Sequence, residues 1–416
     1  MKKLVVLVLL FLTVQLPCVA TTTYLGGIDM AIELAVQNSG ELRATQARFG
    51  ITEAQVFTAN TRLNPVLITD NGIAEYTYRA GIQFIIETAS KRRKRTLVAK
   101  AQHDVMQDEI NIKILDIKSR VRKAYIALYA AQEKQRYALK IIETTNTLLN
   151  ATQKKFQAGA IPQLDVIQIE IIKTNAENDL QNARLEIIRA HNELNLLLGH
   201  CLEQECELEA PALEHNFKDI AALTKEQHLE NINALQKIAL ENRPELKKEQ
   251  DNINYARRKL DLAKANRIPN LLIAGGPDMV TNTGNGSRTS AFILGAVDIP
   301  IFNRQQGPIK EAMAMEDASQ KDLQYQKELI LYQIKDSYSR IISNTKLLEK
   351  YQKELLPKSE EIVLKSRRSF EEGKDDIVVP LLAQEAAIKV QFAYIRAVSE
   401  YQTAISDLER AIGTYL

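Results

Sequence analysis

The sequence predicts a mainly helical chain with a small β part, built as a duplicated unit of helix, β-hairpin and long helical hairpin. Three observations carry that prediction. First, the chain repeats itself. Phe156-Gln157-Ala158-Gly159 returns as Phe370-Glu371-Glu372-Gly373, and Leu198-Gly199 as Ile412-Gly413, both 214 positions on. Earlier in each half the offset is 204: residues 37–42 answer residues 241–246, and Pro65 meets Pro269. Repetition on this scale implies internal pseudo-symmetry. Second, the stretch from Ser90 to Phe156 holds no proline and no glycine. A helix of that length reaches roughly 100 Å at 1.5 Å per residue, far beyond an ordinary globular helix. Third, each half carries a run of residues that alternate with period two, the mark of a half-buried strand.

Composition agrees. There is no Trp, aromatics make up 6% and charged residues 25% of 416 residues, a mix suited to long helices with thin apolar seams. Net charge is +2 with Lys2 and Lys3 included, so no basic excess points to nucleic acid. Residues 1–20 read as a secretory leader: Lys2-Lys3, an apolar run over 4–12, then small residues at Cys18-Val19-Ala20. Pro17 argues against a lipid anchor on Cys18. No later stretch reads as a transmembrane helix, so a membrane-spanning form has to be a barrel. Cys201 and Cys206 remain after the leader. In an exported chain they read as a possible disulfide, with free thiols or a metal shared with His200 and His215 as the alternatives.

Taken in order, residues 21–205 form a first repeat. A helix is expected over 29–62, ended by Pro65. A hairpin follows at 65–86, turning at Asp70-Asn71-Gly72. Its second strand sets Tyr76, Tyr78, Ala80, Ile82 and Phe84 on one face and Thr77, Arg79, Gly81 and Gln83 on the other. One face is lipid-compatible and the other wet. A helical hairpin spans 90–199, turning at Gly159 and Pro162. Its return arm carries Leu180, Ala183, Ile187, Ala190, Leu194 and Leu197, a 3.5-residue seam for knobs-into-holes packing. Residues 206–235 read as a polar equatorial connector. The second repeat, 236–416, begins with a helix capped by Asn242, with Pro244 in its first turn. Its hairpin is expected over 270–302, with a strand at 271–274 and a long loop from Gly275-Gly276-Pro277. The next strand alternates less cleanly because Phe292 and Leu294 break the polar face. A helical hairpin over 305–416 follows, kinked at Pro357 and turning at Gly373. It repeats the seam as Tyr394, Ala397, Tyr401, Ala404, Leu408 and Ala411.

Four strands cannot close a barrel, and open edges are not tolerated in lipid. Three chains would supply twelve strands, an even number suited to a bacterial outer membrane. At this point the chain resembles the TolC family of trimeric outer-membrane efflux channels. The residues that carry the likeness are the duplicated helix–Asn/Pro–strand units, Ile299-Pro300-Ile301-Phe302-Asn303, Leu355-Leu356-Pro357-Lys358 and the two Gly-centred tips. The run Ile86-Glu87-Thr88-Ala89-Ser90-Lys91-Arg92 resembles the cobalt–zinc–cadmium efflux branch. That branch usually has Leu-Gly-Gly where this chain has Thr88-Ala89-Ser90.

The resemblance implies a homotrimer in the outer membrane of a Gram-negative bacterium. A 12-stranded barrel would stand there on a long periplasmic α-helical barrel. It implies a passive duct docked to a periplasmic adaptor and an inner-membrane pump, with no catalysis, no cofactor and no nucleic acid. Consistently, the chain has no Gly-rich phosphate loop, no His-Glu-x-x-His and no Gly-x-Ser-x-Gly. Asp375 and Asp376 are the candidate constriction, because threefold symmetry would make a ring of six carboxylates that favours cations; a solvated acidic turn is the other reading. Gly159, Ala160, Ile161, Pro162, Asp165, Gly373 and Lys374 are the candidate adaptor-docking tips, Asp165 also reading as a helix cap. The cluster Lys91–Arg95 reads as a solvated rim or as a site for headgroups or lumenal anions. A duct for protein secretion and a soluble periplasmic coiled-coil scaffold are the competing functions.

Overall fold

The computed structural model describes residues 28–72, 76–199, 231–282 and 286–414. The leader, the Cys201/Cys206 pair and most of the 206–235 connector lie outside the described residues. The first repeat opens with two helices, α1 (Ile28–Asn38) and α2 (Gly40–Asn60), rather than the single expected helix. The break falls at Ser39, whose side chain accepts a hydrogen bond from the Leu42 N–H; a serine cap followed by glycine favours a helix start over continuation. The second repeat breaks at the matching place. There α5 (Ile232–Asn242) gives way to α6 (Pro244–Asn266). Helix α5 starts inside the expected connector, capped by Asn231. Asn242 is its last residue and not the cap of α6. That position belongs to Arg243, whose ψ of 120° is the extended conformation that the following Pro244 imposes.

The four strands, β1 (Val66–Gly72), β2 (Tyr76–Ile86), β3 (Leu271–Asn282) and β4 (Gly286–Val297), form one antiparallel sheet in the order β1-β2-β3-β4. The two hairpins therefore pair with each other through β2 and β3. Two turn expectations fail. Asp70-Asn71-Gly72 lies within β1, paired with Arg79, Tyr78 and Thr77. Gly275-Gly276-Pro277 lies within β3, paired with Ile293, Phe292 and Ala291. The glycine there serves close approach: a Cβ on Gly276 would sit 2.1 Å from the Ala80 carbonyl oxygen of β2.

The rods follow the sheet. Helix α3 (Lys91–Gln157) runs 67 residues without interruption and returns as α4 (Gln163–Leu198). In the second repeat, α7 (Gln306–Lys350) passes into a π-helical turn at Tyr351–Leu355 and on through α8 (Leu356–Glu371) to the return helix α9 (Val378–Ile412). The expected interruption at Pro357 thus takes the form of a π turn just before it, which accommodates a residue whose ring cannot fit a regular ladder. It also contains one extra residue. Ile117, Val121 and Leu128 of α3 are buried like Ile330, Ile334 and Ile341 of α7, an offset of 213. Beyond the π turn, Thr152 and Phe156 correspond to Ser366 and Phe370 at an offset of 214.

Each repeat has its own core. Ile117, Tyr125, Leu128, Leu194 and Leu198 fill the first, and Ile330, Ile334, Tyr401, Leu408 and Ile412 the second. The small members of the expected seams, Ala183, Ala190, Ala397, Ala404 and Ala411, are buried, which lets the rods approach closely. Contrary to the sequence expectation, α9 is long and apolar enough by composition to cross a membrane. One face of it, with Ala397, Ala404, Leu408 and Ala411, is buried against α7 and α3, while Val378, Val379 and Leu382 are exposed.

Candidate functional site

Two regions hold the features that suit a channel: the sheet and the rod tips. The strand register sorts the sheet's two faces. Leu67, Ile82, Gly275 and Ile293 lie in one cross-strand row, and Phe84, Ile273 and Gly295 in the next. On this face Leu67, Tyr78, Ile82, Phe84, Met279 and Ile293 are all exposed, Ile293 to 90%. An antiparallel sheet in water would turn such a face to a core. The opposite face carries an Arg79–Asp278 ion pair at 3.3 Å, with Ser290 opposite Asp278 and Gln83 further along the same face of β2. Phe292 disturbs the alternation for a local reason. Its ring covers Gly81, where a Cβ would meet it at 2.7 Å, and the Arg79 guanidinium lies 5.8 Å from the ring centroid.

At the root of the hairpins the basic cluster divides. Lys91 is buried and its Nζ donates to Asn270 Oδ1 at 2.6 Å, while Thr88 Oγ1 donates to the Pro269 carbonyl at 2.5 Å. Burial holds the Lys91 ammonium below the usual lysine range, opposed by the charges of Glu87 and Asp298. Arg95 pairs with Glu87 at 2.6 Å and donates to the Ala59 carbonyl at the end of α2. These two residues tie strands to helices, so they are not part of a solvated rim. Ala89 and Ser90 adopt left-handed φ values of 52° and 55°, at the positions where the resembling branch has two glycines. Gln305, before the second rod, does the same at 60°.

The two tips share one turn geometry. Gly159 and Gly373 have φ of 71° and 72°. The N–H of Ala160 bonds the Lys155 carbonyl, and that of Lys374 bonds the Ser369 carbonyl, each at 2.9 Å. This is the glycine-dependent helix ending of the Schellman type. Leu148, Val166, Ile169, Phe370, Ile377 and Leu381 form a small core that joins the two tips within the chain. Lys155, which sequence reasoning did not single out, fastens them: its Nζ donates to the Phe370 carbonyl at 2.8 Å and lies 4.0 Å from the centre of that ring. No spacing pattern marks Lys155 in the sequence, because its partner is 215 positions away.

Of the sequence-selected tip residues, Gly159, Ala160, Pro162, Gly373, Lys374, Asp375 and Asp376 are exposed and Ile161 is half-buried. Asp165 is different. It lies in the first turn of α4, whose N-cap is Pro162, and is buried. Burial, and then the charge of Asp376, raise its pKa above the usual carboxylate range. Asp165 therefore sits beneath the tip surface rather than on it, and it approaches Asp376. The Asp376 carboxylate accepts the Ile377 N–H at 2.7 Å, which leaves the Asp375 side chain as the freer of the pair.

A family model described as outer membrane efflux protein matches residues 31–200 and again 235–414, once for each repeat. The cobalt-zinc-cadmium resistance protein CzcC of Cupriavidus metallidurans is 23% identical over 394 residues, covering 93% of this chain and 90% of that protein. Among solved structures, the outer-membrane channel OprN superposes with a TM-score of 0.77 at 17% identity, over 93% of this chain and 89% of that one. The Campylobacter jejuni outer membrane channel CmeC gives 0.77 at 13% identity, over 93% and 85%.

Proposed function

This chain belongs to the outer membrane efflux protein family, and from that premise we propose that three copies form a passive exit duct for divalent metal cations. The protein is an outer-membrane efflux channel with a large periplasmic helical part. The observation that carries the finer reading is the sheet. Its four strands leave β1 and β4 as open edges and expose one continuous apolar face. Three such sheets joined edge to edge would remove every edge and turn the apolar faces to lipid. The Arg79–Asp278 face would then line the lumen.

In this reading the duct has no catalytic step. An inner-membrane pump would supply the driving force and a periplasmic adaptor would grip the tips at Gly159–Pro162 and Gly373–Lys374. Asp375 and Asp376 would form the narrow acidic ring, whose carboxylates attract cations and repel one another. The cargo class rests on the likeness to CzcC and on that acidic tip. The test is metal tolerance. Deleting the gene is expected to lower the inhibitory concentrations of zinc, cobalt and cadmium several-fold, with restoration from a plasmid. Unchanged metal tolerance, with increased sensitivity only to organic drugs, would contradict the cargo assignment.

A further inference from the structure

At the root of the hairpins, the links between strands and helices surround a cavity of about 500 Å³. Its charged walls are Lys91, Arg95, Arg267, Glu87 and Asp298. Arg95 and Glu87 neutralise each other through two contacts, at 2.6 and 3.4 Å. That leaves Lys91 and Arg267 against Asp298, an excess of one positive charge. Lys91 is only 7% exposed. An ammonium has three N–H donors to place, yet the acceptor at Lys91 Nζ is the neutral Asn270 Oδ1, at 2.6 Å. Glu87 and Asp298 act on it across space. A buried charge calls for a counter-charge in contact with it, and the cavity has room for one.

The backbone points the same way. Lys91 opens rod α3 and Gln305 is the N-cap of rod α7, and both line the cavity. Neither helix start has a side-chain cap or an acidic residue in its first turn. Rod α3 instead opens with Lys91-Arg92-Arg93-Lys94-Arg95, the reverse of the charge that a helix N-terminus favours. An anion at such a terminus is bound by free N–H groups and by the helix dipole together. Arg267, the C-cap of α6, is exposed on the facing wall. We propose that this cavity binds a phosphate group, with Lys91 and Arg267 as its cationic ligands. The guanidinium offers a phosphate two parallel N–H bonds and the ammonium a compact point charge. A lipid headgroup and a free phosphate share this chemistry. All five charged residues belong to one chain, so the site is independent of the cargo and of the number of copies that assemble.

The experiment uses the full-length protein in detergent, stripped of lipid. Its melting temperature is followed against inorganic phosphate, against dihexanoylphosphatidylglycerol below its micelle concentration, and against sodium chloride at matched ionic strength. A saturable rise beyond the chloride effect is expected with at least one phosphate probe. Arg267→Gln should raise the apparent Kd about tenfold, as loss of a charge-assisted hydrogen bond does. Asp298→Asn removes a repelling carboxylate and should lower it. Lys91→Met should abolish the response; because it also removes the tie to Asn270, the two exposed sites, Arg267 and Asp298, decide the matter. Arg288→Gln, the same charge change at the far end of β4, should leave the response as in the parent. A rise with inorganic phosphate assigns the site to the free ion, and a rise with the lipid alone assigns it to a headgroup. No saturable rise with either probe, or one that Arg267→Gln and Asp298→Asn leave unchanged, would overturn the site.

Discussion

At the scale of single residues, the root of the first hairpin carries backbone strain. Ala89 and Ser90 sit in the left-handed region, where a Cβ costs roughly 1–2 kcal/mol per residue. Glycine there pays no such penalty, although its unfolded chain is more flexible. Replacing Ala89→Gly and Ser90→Gly should therefore raise stability, by about 0.5–1 kcal/mol per site, seen as a higher melting temperature in detergent. A lower melting temperature would mean that both side chains are held by contacts worth more than the strain. A second residue-scale prediction concerns Asp251 on α6. Burial, then a hydrogen bond and the charge of Asp108, raise its pKa to about 6, with Asp104 adding to the effect and Lys247 opposing it. Asp108 is fully buried, bonds Lys247 Nζ at 2.6 Å through Oδ1 and leaves Oδ2 without a partner; a proton on Asp251 would give that oxygen a donor. The unfolded chain releases the Asp251 proton near pH 4 and the folded chain near pH 6. Between those values the folded form holds the extra proton, so stability rises as pH falls through the window. Asp251→Asn should be more stable than the parent at pH 7.5, and its advantage should vanish by about pH 4. Parallel pH profiles for parent and variant would contradict this.

At the scale of elements, the rods were legible in the sequence and the breaks between elements were not. The interval without Pro or Gly from Ser90 to Phe156 matches α3 to within a residue at each end. The return-arm seam is buried at Leu180, Ala183, Ala190, Leu194 and Leu197. Turn chemistry misled because the same residues serve two purposes. Gly275-Gly276-Pro277 reads as a loop by composition, yet Gly276 is there so that β3 can approach Ala80. That distinction depends on a partner strand about 195 positions earlier, which local reasoning does not see. Gly276→Ala should therefore disrupt the pairing of β2 with β3, with loss of most heat-modifiable folded protein in the outer membrane. Gly295→Ala, where a Cβ would meet nothing within 4 Å, should be tolerated. Equal yields of both variants would mean that the close approach is not needed. The π turn at Tyr351–Leu355 was visible only as a proline. Its physical content, one residue more than the matching rod, emerged from comparing burial in α3 and α7.

At the scale of the whole molecule, the duplication was the most informative feature of the sequence. It implied two repeats, and the family model matches residues 31–200 and 235–414. The candidate site was only partly legible. The turns at Gly159 and Gly373 were legible as turns because left-handed glycine endings have a local signature. Asp165 read either as a docking residue or as a helix cap, and it lies buried in the first turn of α4, since a first-turn carboxylate looks the same in sequence whichever way it faces. Lys155 was missed altogether. What unites these features is a chain that is incomplete alone, with two open sheet edges and an exposed apolar sheet face.

The most direct test of that account is conductance of the purified protein in a planar bilayer. The account predicts discrete cation-selective channels from a detergent-stable trimer. Selectivity for cations should weaken when Asp375→Asn and Asp376→Asn are introduced together. A water-soluble monomer that inserts no channels would contradict it.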